Sequence, residues 1–404
     1  MYANAVGAIA DGLELLLFFV GLYYLLISIF ALMPAREKTA ESKVNRFAVV
    51  IPAHNEAHVL PGILQSLEEQ KYPPEAFHVF VAADRCRDHT EAVARCMGAH
   101  VIPCNNGDAA RKGEVLRQAF ACLEELEIPY DCVVVLDADN YVDPRFLAEM
   151  NESINRGWSA VQGYIDSGNP RASWVSHAYS MWYWLTNRSM QIGRARLGLG
   201  CRLGGTGFVL TRELLERVIW IGETLAEDAE YTMKLALAGV KVGYCEKAVV
   251  YDEKPTSFWA SVWQRTRWMQ GITEVQRDYM VPLLKNGKLN ALMGFWGDLL
   301  APMCFLVCVV LDCFAVLSLA DVVWVVFVNL WVQPLNFVLL NLYVLGSVFT
   351  AGCGLMRDRK FNSAILLNLL GFAIYILSWI PAGIVGVFRH NRKDWYHTPH
   401  KGGM

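Results

Sequence analysis

The chain has 404 residues, 54% of them hydrophobic and 19% charged, with a formal net charge of −3. Residues 15–35 and 361–388 carry no charge, and 291–356 carry only Asp298, Asp312 and Asp321, so the rest is about 25% charged, an ordinary soluble density. That pattern describes a soluble domain attached to membrane spans, and it excludes a purely soluble enzyme, a nucleic-acid binder built on net positive charge and a disordered chain.

The first apolar stretch, roughly Leu13–Met33, is long enough to cross a bilayer. Asp11 and Glu14 stand at its front, and Arg36, Lys38, Lys43 and Arg46 follow it, with no positive leader or small-residue cleavage site. The positive-inside rule then predicts a retained anchor over residues 1–36, in a multi-pass cell-membrane protein whose catalytic domain is cytoplasmic.

From Phe47 to about Asn290, short apolar runs alternate with helical patterns. The runs FAVVIP, FHVFVAA and CVVVLDAD read as strands buried on both faces; Val59–Gln70, Asp88–Met97 and Ala110–Leu126 read as helices. Such alternation predicts a mainly parallel α/β sheet, placed here over residues 37–255. Asp84 follows the second run, and Asp137 and Asp139 follow the third. Ligands of open α/β sheets bind at the carboxyl ends of strands. Taken singly, each acid is also a plausible cap or turn residue; together they point to a site.

Within 256–290, expected to hold amphipathic interface helices, Ser257–Gln276 combines Phe258, Trp259, Trp263, Trp268 and Met269 with Arg265 and Arg267, the pattern of an amphipathic helix at a membrane interface. Further apolar stretches fill 291–388, and a basic tail occupies 389–404. That tail argues for a cytoplasmic end, which requires either three spans with tight turns in 294–356 or one re-entrant stretch. The eleven cysteines include no C-x-x-C pair, and Cys304, Cys308, Cys313 and Cys353 lie in apolar segments. They read as small buried hydrophobes rather than as zinc ligands or a disulfide framework.

The chemistry gathers at a few places. Asp137 and Asp139 put two hard carboxylates on one turn, spaced to share Mg²⁺ or Mn²⁺ with a substrate diphosphate. Lys112 opens a helical pattern after a polar loop, where a cation can hold a phosphate or simply face solvent. Glu227 and Asp228 begin an amphipathic helix, where they either complement its dipole or supply a general base. Gln264, Arg267 and Trp268 set a guanidinium beside an indole, for a leaving diphosphate and a sugar face, or else anchor an interfacial helix.

In order, the chain shows VVIPAHNE, VAAD, RKGEVL, LDAD, GGTGF, AED and QRTRW. This series resembles the membrane-embedded inverting glycosyltransferases of family 2, which include the cellulose, hyaluronan and chitin synthases. The resemblance implies a GT-A-type glycosyltransferase domain joined to an α-helical transmembrane region with amphipathic interface helices. It implies that Pro52, Ala53 and Glu56 line a nucleotide pocket, that Asp84 contacts uracil, and that Lys112 lies near the diphosphate. Asp137 and Asp139 would hold nucleotide and metal, Gly205 and Thr206 the acceptor turn. Asp228 would be the general base with Glu227 secondary, Gln264 and Arg267 would serve the donor, and Trp268 would lie beneath the acceptor sugar. Two departures stand out: Ala226 replaces the usual threonine before Glu227-Asp228, and Trp395 and Thr398 match the gating loop of these synthases only loosely.

The reading that follows is a UDP-sugar transferase, UDP-glucose favoured, that extends and exports a β-linked polysaccharide. Its partners are the donor, the growing glycan and membrane lipid, with no nucleic acid and no secretion partner identified. Trp158, Trp174, Trp182, Trp184 and several tyrosines are candidate sugar-stacking surfaces, although aromatics at helical spacing are more often core. The alternative is a non-processive enzyme that adds one sugar to a lipid. A non-catalytic receptor or transporter is disfavoured because Asp84, Asp139 and Asp228 are all present.

Overall fold

The computed structural model of the chain describes residues 16, 18–34, 43–105, 111–297 and 334–390. Trp395, Thr398, the basic tail beyond residue 390, Cys304, Cys308, Cys313 and most of the stretch 294–333 lie outside the described residues.

The strands are β1 (Phe47–Ala53), β2 (Phe77–Ala83), β3 (His100–Pro103), β4 (Cys132–Val135), β5 (Tyr141–Val142), β6 (Ala160–Ser167), β7 (Phe208–Thr211) and β8 (Gly243–Asp252). The helices begin with α1 (Phe18–Phe30), α2 (Leu60–Glu68), α3 (Thr90–Cys96), α4 (Lys112–Glu125), α5 (Phe146–Asn155) and α6 (Trp174–Thr186). They continue with α7 (Gly193–Arg196), α8 (Arg212–Arg217), α9 (Glu227–Leu237), α10 (Phe258–Lys285), α11 (Pro334–Arg357), α12 (Ser363–Leu367), α13 (Leu369–Leu377) and α14 (Trp379–Arg389).

Two compact units divide the chain. One comprises Met1–Ala35, Trp184–Gly198 and Met293–Ser363. Within it, three carbonyls after α1 are capped by cations: Arg188 donates to Ala31 O at 3.3 Å, Arg357 to Leu32 O at 2.8 Å and Arg196 to Met33 O at 3.2 Å. A helix end leaves its last carbonyls without partners and carries partial negative charge, so arginine suits it twice over. Trp184, expected as a sugar platform, is buried here with the Lys360 amine 5.3 Å from its ring.

The second unit comprises Arg36–Tyr183, Leu199–Leu292 and Ala364–Met404. It carries an eight-stranded sheet in the order β3-β2-β1-β4-β7-β6-β8-β5. β1 pairs in parallel with β2 (Phe47↔Phe77) and with β4 (Phe47↔Cys132), as their apolar runs predict. The sheet is mainly parallel as predicted, with two strands reversed: β7 lies antiparallel to both β4 and β6, and β5 lies antiparallel to β8. A strand buried on both faces reads alike in either direction, so composition does not reveal this reversal.

The mixed order positions the site. The carboxyl ends of β1, β2, β4, β6 and β8 and the amino ends of β5 and β7 fall on one edge. Strand order also reverses between β1 and β4, the kind of switch point that opens a ligand crevice. Trp158 packs against the core, its ring 2.7 Å from where a Cβ on Gly243 would lie.

α10 packs on α9 and on α14 in this unit. Gly386 lets α14 approach closely: a Cβ there would meet Met269 Cβ at 2.5 Å. Among the described residues, Leu369–Arg389 is the one helix long and apolar enough to cross a membrane.

Candidate active site

Asp84 extends β2 onto the crevice edge, and its backbone N–H donates to Ala53 O at 2.9 Å. It is 4% exposed. Arg85 Nε donates to its Oδ1 at 2.7 Å, and His54 Nδ1 lies 3.5 Å from its Oδ2. Arg85 holds a left-handed backbone, φ 46°, which a bulky side chain adopts only under local constraint. Pro52 and Ala53 close β1 beside this group. Glu56 is buried just beyond, its N–H bonded to Thr90 Oγ1 at 2.8 Å.

At the end of β4, one amine binds two turns. Lys112 Nζ contacts the Asp137 carboxylate and donates to Gly205 O at 2.8 Å. Burial alone would pull this lysine down, but Asp137, Glu227 and Asp228 outweigh it and hold the amine above its ordinary value. Thr206 adds a second tie, accepting from Asp137 N–H at 3.1 Å and donating to Asn140 Oδ1 at 2.5 Å. The predicted donor residues Asp137 and Lys112 and the predicted acceptor turn Gly205–Thr206 therefore form one cluster.

Lys112 reaches this point because the start of α4 lies against the loop before α9. A Cβ on Gly113 would stand 2.5 Å from Gly222 O, and Trp220 Nε1 donates to Gly113 O at 3.0 Å. Gly205, at φ +79°, is itself the site floor: a Cβ there would lie 3.5 Å from Asp228 Oδ2 and 3.9 Å from Lys112 Nζ.

Glu227 and Asp228 open α9, as the sequence predicts. Burial pushes Glu227 up to about 7, with Lys112 opposing and Asp228 adding to the rise. Burial also raises Asp228, against the Ala229 N–H bond, Arg202 and Lys112. Burial lowers both Arg202 and Arg267, with Asp228 the leading opposing charge for Arg202 and Glu227 for Arg267. A carboxylate shifted toward neutral pH among fixed cations is suited to proton transfer. Gly271 brings α10 against this motif: a Cβ there would meet Ala226 Cβ at 2.7 Å. A small residue at 226 therefore suits the contact.

The QRTRW segment divides by helical phase. Two residues along a helix is about 200°, so Arg265 and Arg267 face opposite ways. Arg265 is fully buried, donating to Tyr375 O at 2.9 Å and Ser261 O at 3.1 Å, with its guanidinium 4.2 Å from the Tyr375 ring. Arg267 instead interacts with Glu227, Asp137 and Asp228. Gln264 and Trp268, four residues apart, share a face. Tyr179 Oη donates to Gln264 Oε1 at 2.5 Å, and its ring stands edge-on to Trp268 at 6.1 Å. Trp182 and Trp379 complete the aromatic cluster around Trp268, at 6.4 and 6.2 Å.

Sequence reasoning missed Arg202, Tyr179, Asn140 and Asp252. Two carried a signal: Asn140 directly follows D-A-D, and Asp252 ends a strand on the same edge. No group of three or more His, Cys, Asp or Glu side chains able to hold a metal occurs among the described residues. The pair Asp137 and Asp139 still fits Mg²⁺ or Mn²⁺, which take few protein oxygens and complete their shell with phosphate oxygens and water.

Comparison with known proteins places the chain in a family and a fold. The chain is 25% identical over 238 residues to beta-monoglucosyldiacylglycerol synthase of Synechocystis, covering 57% of this chain and 48% of that one. It is 23% identical over 264 residues to poly-beta-1,6-N-acetyl-D-glucosamine synthase of Staphylococcus epidermidis, covering 63% and 61%. The chain thus spans about half the length of the curated relatives it matches. The mannosyltransferase PcManGT of Pyrobaculum calidifontis, solved with GDP-Man and Mn²⁺, shares the fold with a TM-score of 0.56 at 18% identity, over 85% of this chain and 98% of that one. The model of the family described as Glycosyltransferase like family 2 matches residues 45–271, from just before β1 to Gly271 in α10, and the chain belongs to that family.

Proposed function

We propose that the chain is an inverting, metal-dependent membrane glycosyltransferase that transfers sugar from a UDP-sugar, UDP-glucose favoured, to a growing β-linked polysaccharide and exports it. The observation that carries this reading is the double contact of Lys112 with Asp137 and Gly205, which sets a donor carboxylate and an acceptor turn about one amine beside Asp228.

The acceptor hydroxyl attacks the anomeric carbon from the face opposite the diphosphate. A C–O bond forms to the acceptor oxygen, the bond to the diphosphate oxygen breaks, and Asp228 takes the hydroxyl proton. Lys112 and Arg267 supply fixed positive charge for the departing diphosphate. A divalent cation held by Asp137 and Asp139 would neutralise further charge on those phosphate oxygens. One displacement inverts configuration, so an α-linked donor yields a β-linkage.

Trp268, half-buried and backed by the buried Trp182 and Trp379, supports a sugar acceptor, since an indole face stacks on a sugar C–H face. The apolar helix Leu369–Arg389 supports a membrane location. The similarity to beta-monoglucosyldiacylglycerol synthase favours a second reading, transfer of one sugar to a lipid.

The test is product size, with the purified chain in lipid, Mn²⁺ or Mg²⁺, and labelled UDP-sugars offered singly and in pairs. A high-molecular-mass product establishes the polymer reading and names its units. A small organic-soluble product replaces it with the lipid reading, and no transfer from any UDP-sugar removes the donor assignment.

A further inference from the structure

Asn140 is 2% exposed, and its side-chain amide has four partners. Oδ1 accepts from Asp137 N–H at 3.2 Å and from Thr206 Oγ1 at 2.5 Å. Nδ2 donates to Asp139 Oδ1 and to Asp252 Oδ1, both at 3.2 Å. The partners dictate this orientation, because a backbone N–H needs an acceptor and the two carboxylates need a donor.

We propose that Asn140 is a positioning residue that sets the Asp139 carboxylate for the divalent cation, an inference that rests on the reading of Asp137 and Asp139 as the metal turn. Asn140 touches Asp139, the Asp137 backbone, the Thr206 hydroxyl and the end of β8 together. Its far anchor is itself held: Lys254 Nζ lies 2.6 Å from Asp252 Oδ2 and 3.3 Å from the centre of the Tyr183 ring. Lys254 is almost wholly buried and its backbone is clasped by Asn169, at 2.8 Å in each direction. The antiparallel pairing of β5 with β8 brings Asn140 and Asp252 together across 112 residues.

The arrangement does two things for Asp139. It holds the carboxylate from one side through the Nδ2 donor at 3.2 Å. It also ties that carboxylate to Thr206, so the metal turn and the acceptor turn keep one geometry. Outer partners of metal ligands typically contribute 10- to 100-fold in metal affinity, and Asn140 is such a partner.

The experiment is Mn²⁺ binding by electron paramagnetic resonance on the full chain in lipid nanodiscs, with UDP present and without turnover. Asn140→Ala should weaken Mn²⁺ binding about 10- to 100-fold while UDP binding without metal stays within twofold. Kinetically, the apparent KM for Mn²⁺ should rise by the same factor, with kcat at saturating Mn²⁺ reduced less than threefold. Asn140→Ser keeps a hydroxyl near the Asp137 N–H but does not span Asp139 and Asp252. It should lose Mn²⁺ affinity equally, so the result stands if the alanine variant fails to fold. Unchanged Mn²⁺ affinity in a folded variant overturns the positioning role and leaves the metal turn intact. Wild-type protein that binds no Mn²⁺ with UDP overturns the metal turn and this inference with it.

Discussion

The Lys112 amine donates to the Gly205 carbonyl at 2.8 Å while it contacts Asp137, a residue on a different loop from a different strand. Asp137 and the Gly205 turn are therefore joined through one cation, and replacing it disturbs both at once. Lys112→Met should lower kcat/KM on the order of 10²-fold, the usual effect of losing one fixed charge-stabilising donor. Steady-state kinetics with varied UDP-sugar checks this; a loss under threefold would detach Lys112 from the diphosphate.

Asp228 stands beside that amine with a carboxyl raised by burial. Asp228→Asn keeps shape and removes the base, so transfer should fall on the order of 10²–10⁴-fold while UDP binding stays near wild type. Single-turnover transfer and calorimetric UDP binding, measured on one preparation, separate the two. Normal turnover would assign the base elsewhere.

The acid pair also sets a pH dependence. Glu227 has its proton held up to about 7 in the folded chain against an ordinary value of 4.5. Because the folded value is the higher one, folding favours the protonated form. The associated stability is fully present below 4.5 and is lost as pH rises through about 7. Glu227→Gln should therefore raise the melting temperature at pH 8 but not at pH 4, by about 2–4 °C for each kcal/mol recovered. Melting curves at the two pH values decide it, and equal shifts at both would place the effect outside ionisation. The same raised carboxyls predict that kcat/KM falls on acidification at a higher pH than an ordinary carboxylate would give.

Arg265 and Arg267 should respond in opposite ways to the same change. Arg265→Leu abandons two backbone carbonyls and the stack on Tyr375, so it should lower thermal stability while UDP binding persists. Arg267→Leu removes charge from the site and relieves a desolvated guanidinium, so it should keep stability and lose transfer by on the order of 10²-fold. Melting and transfer measured on both variants test the pair, and matching behaviour would refute the division by helical phase.

Most of the local structure was legible in the sequence. Helices α2, α3 and α4 begin and end within two residues of the periodic patterns that predict them. Asp84, Asp137 and Asp139 stand at strand ends as read, because an apolar run marks its own boundary where the first carboxylate appears. α10 runs past the amphipathic pattern of Ser257–Gln276 to Lys285, as one helix where several were expected within 256–290.

Tertiary structure alone decided what those residues meet. β7 and β5 run against their neighbours, and only that reversal carries Gly205–Thr206 and Asn140 to the edge where Asp137 and Asp252 end. Arg265 and Arg267 are the same residue type in one motif, and their fates part because one faces Tyr375 and the other faces the acids. Local pattern reports whether a position is apolar and how often that repeats, which is enough to draw strands, helices and their ends. It carries no record of a partner 112 residues away, such as Asp252 is to Asn140. Strand direction and helix phase against a neighbour are settled only when the whole core packs, and the site is built from those two choices.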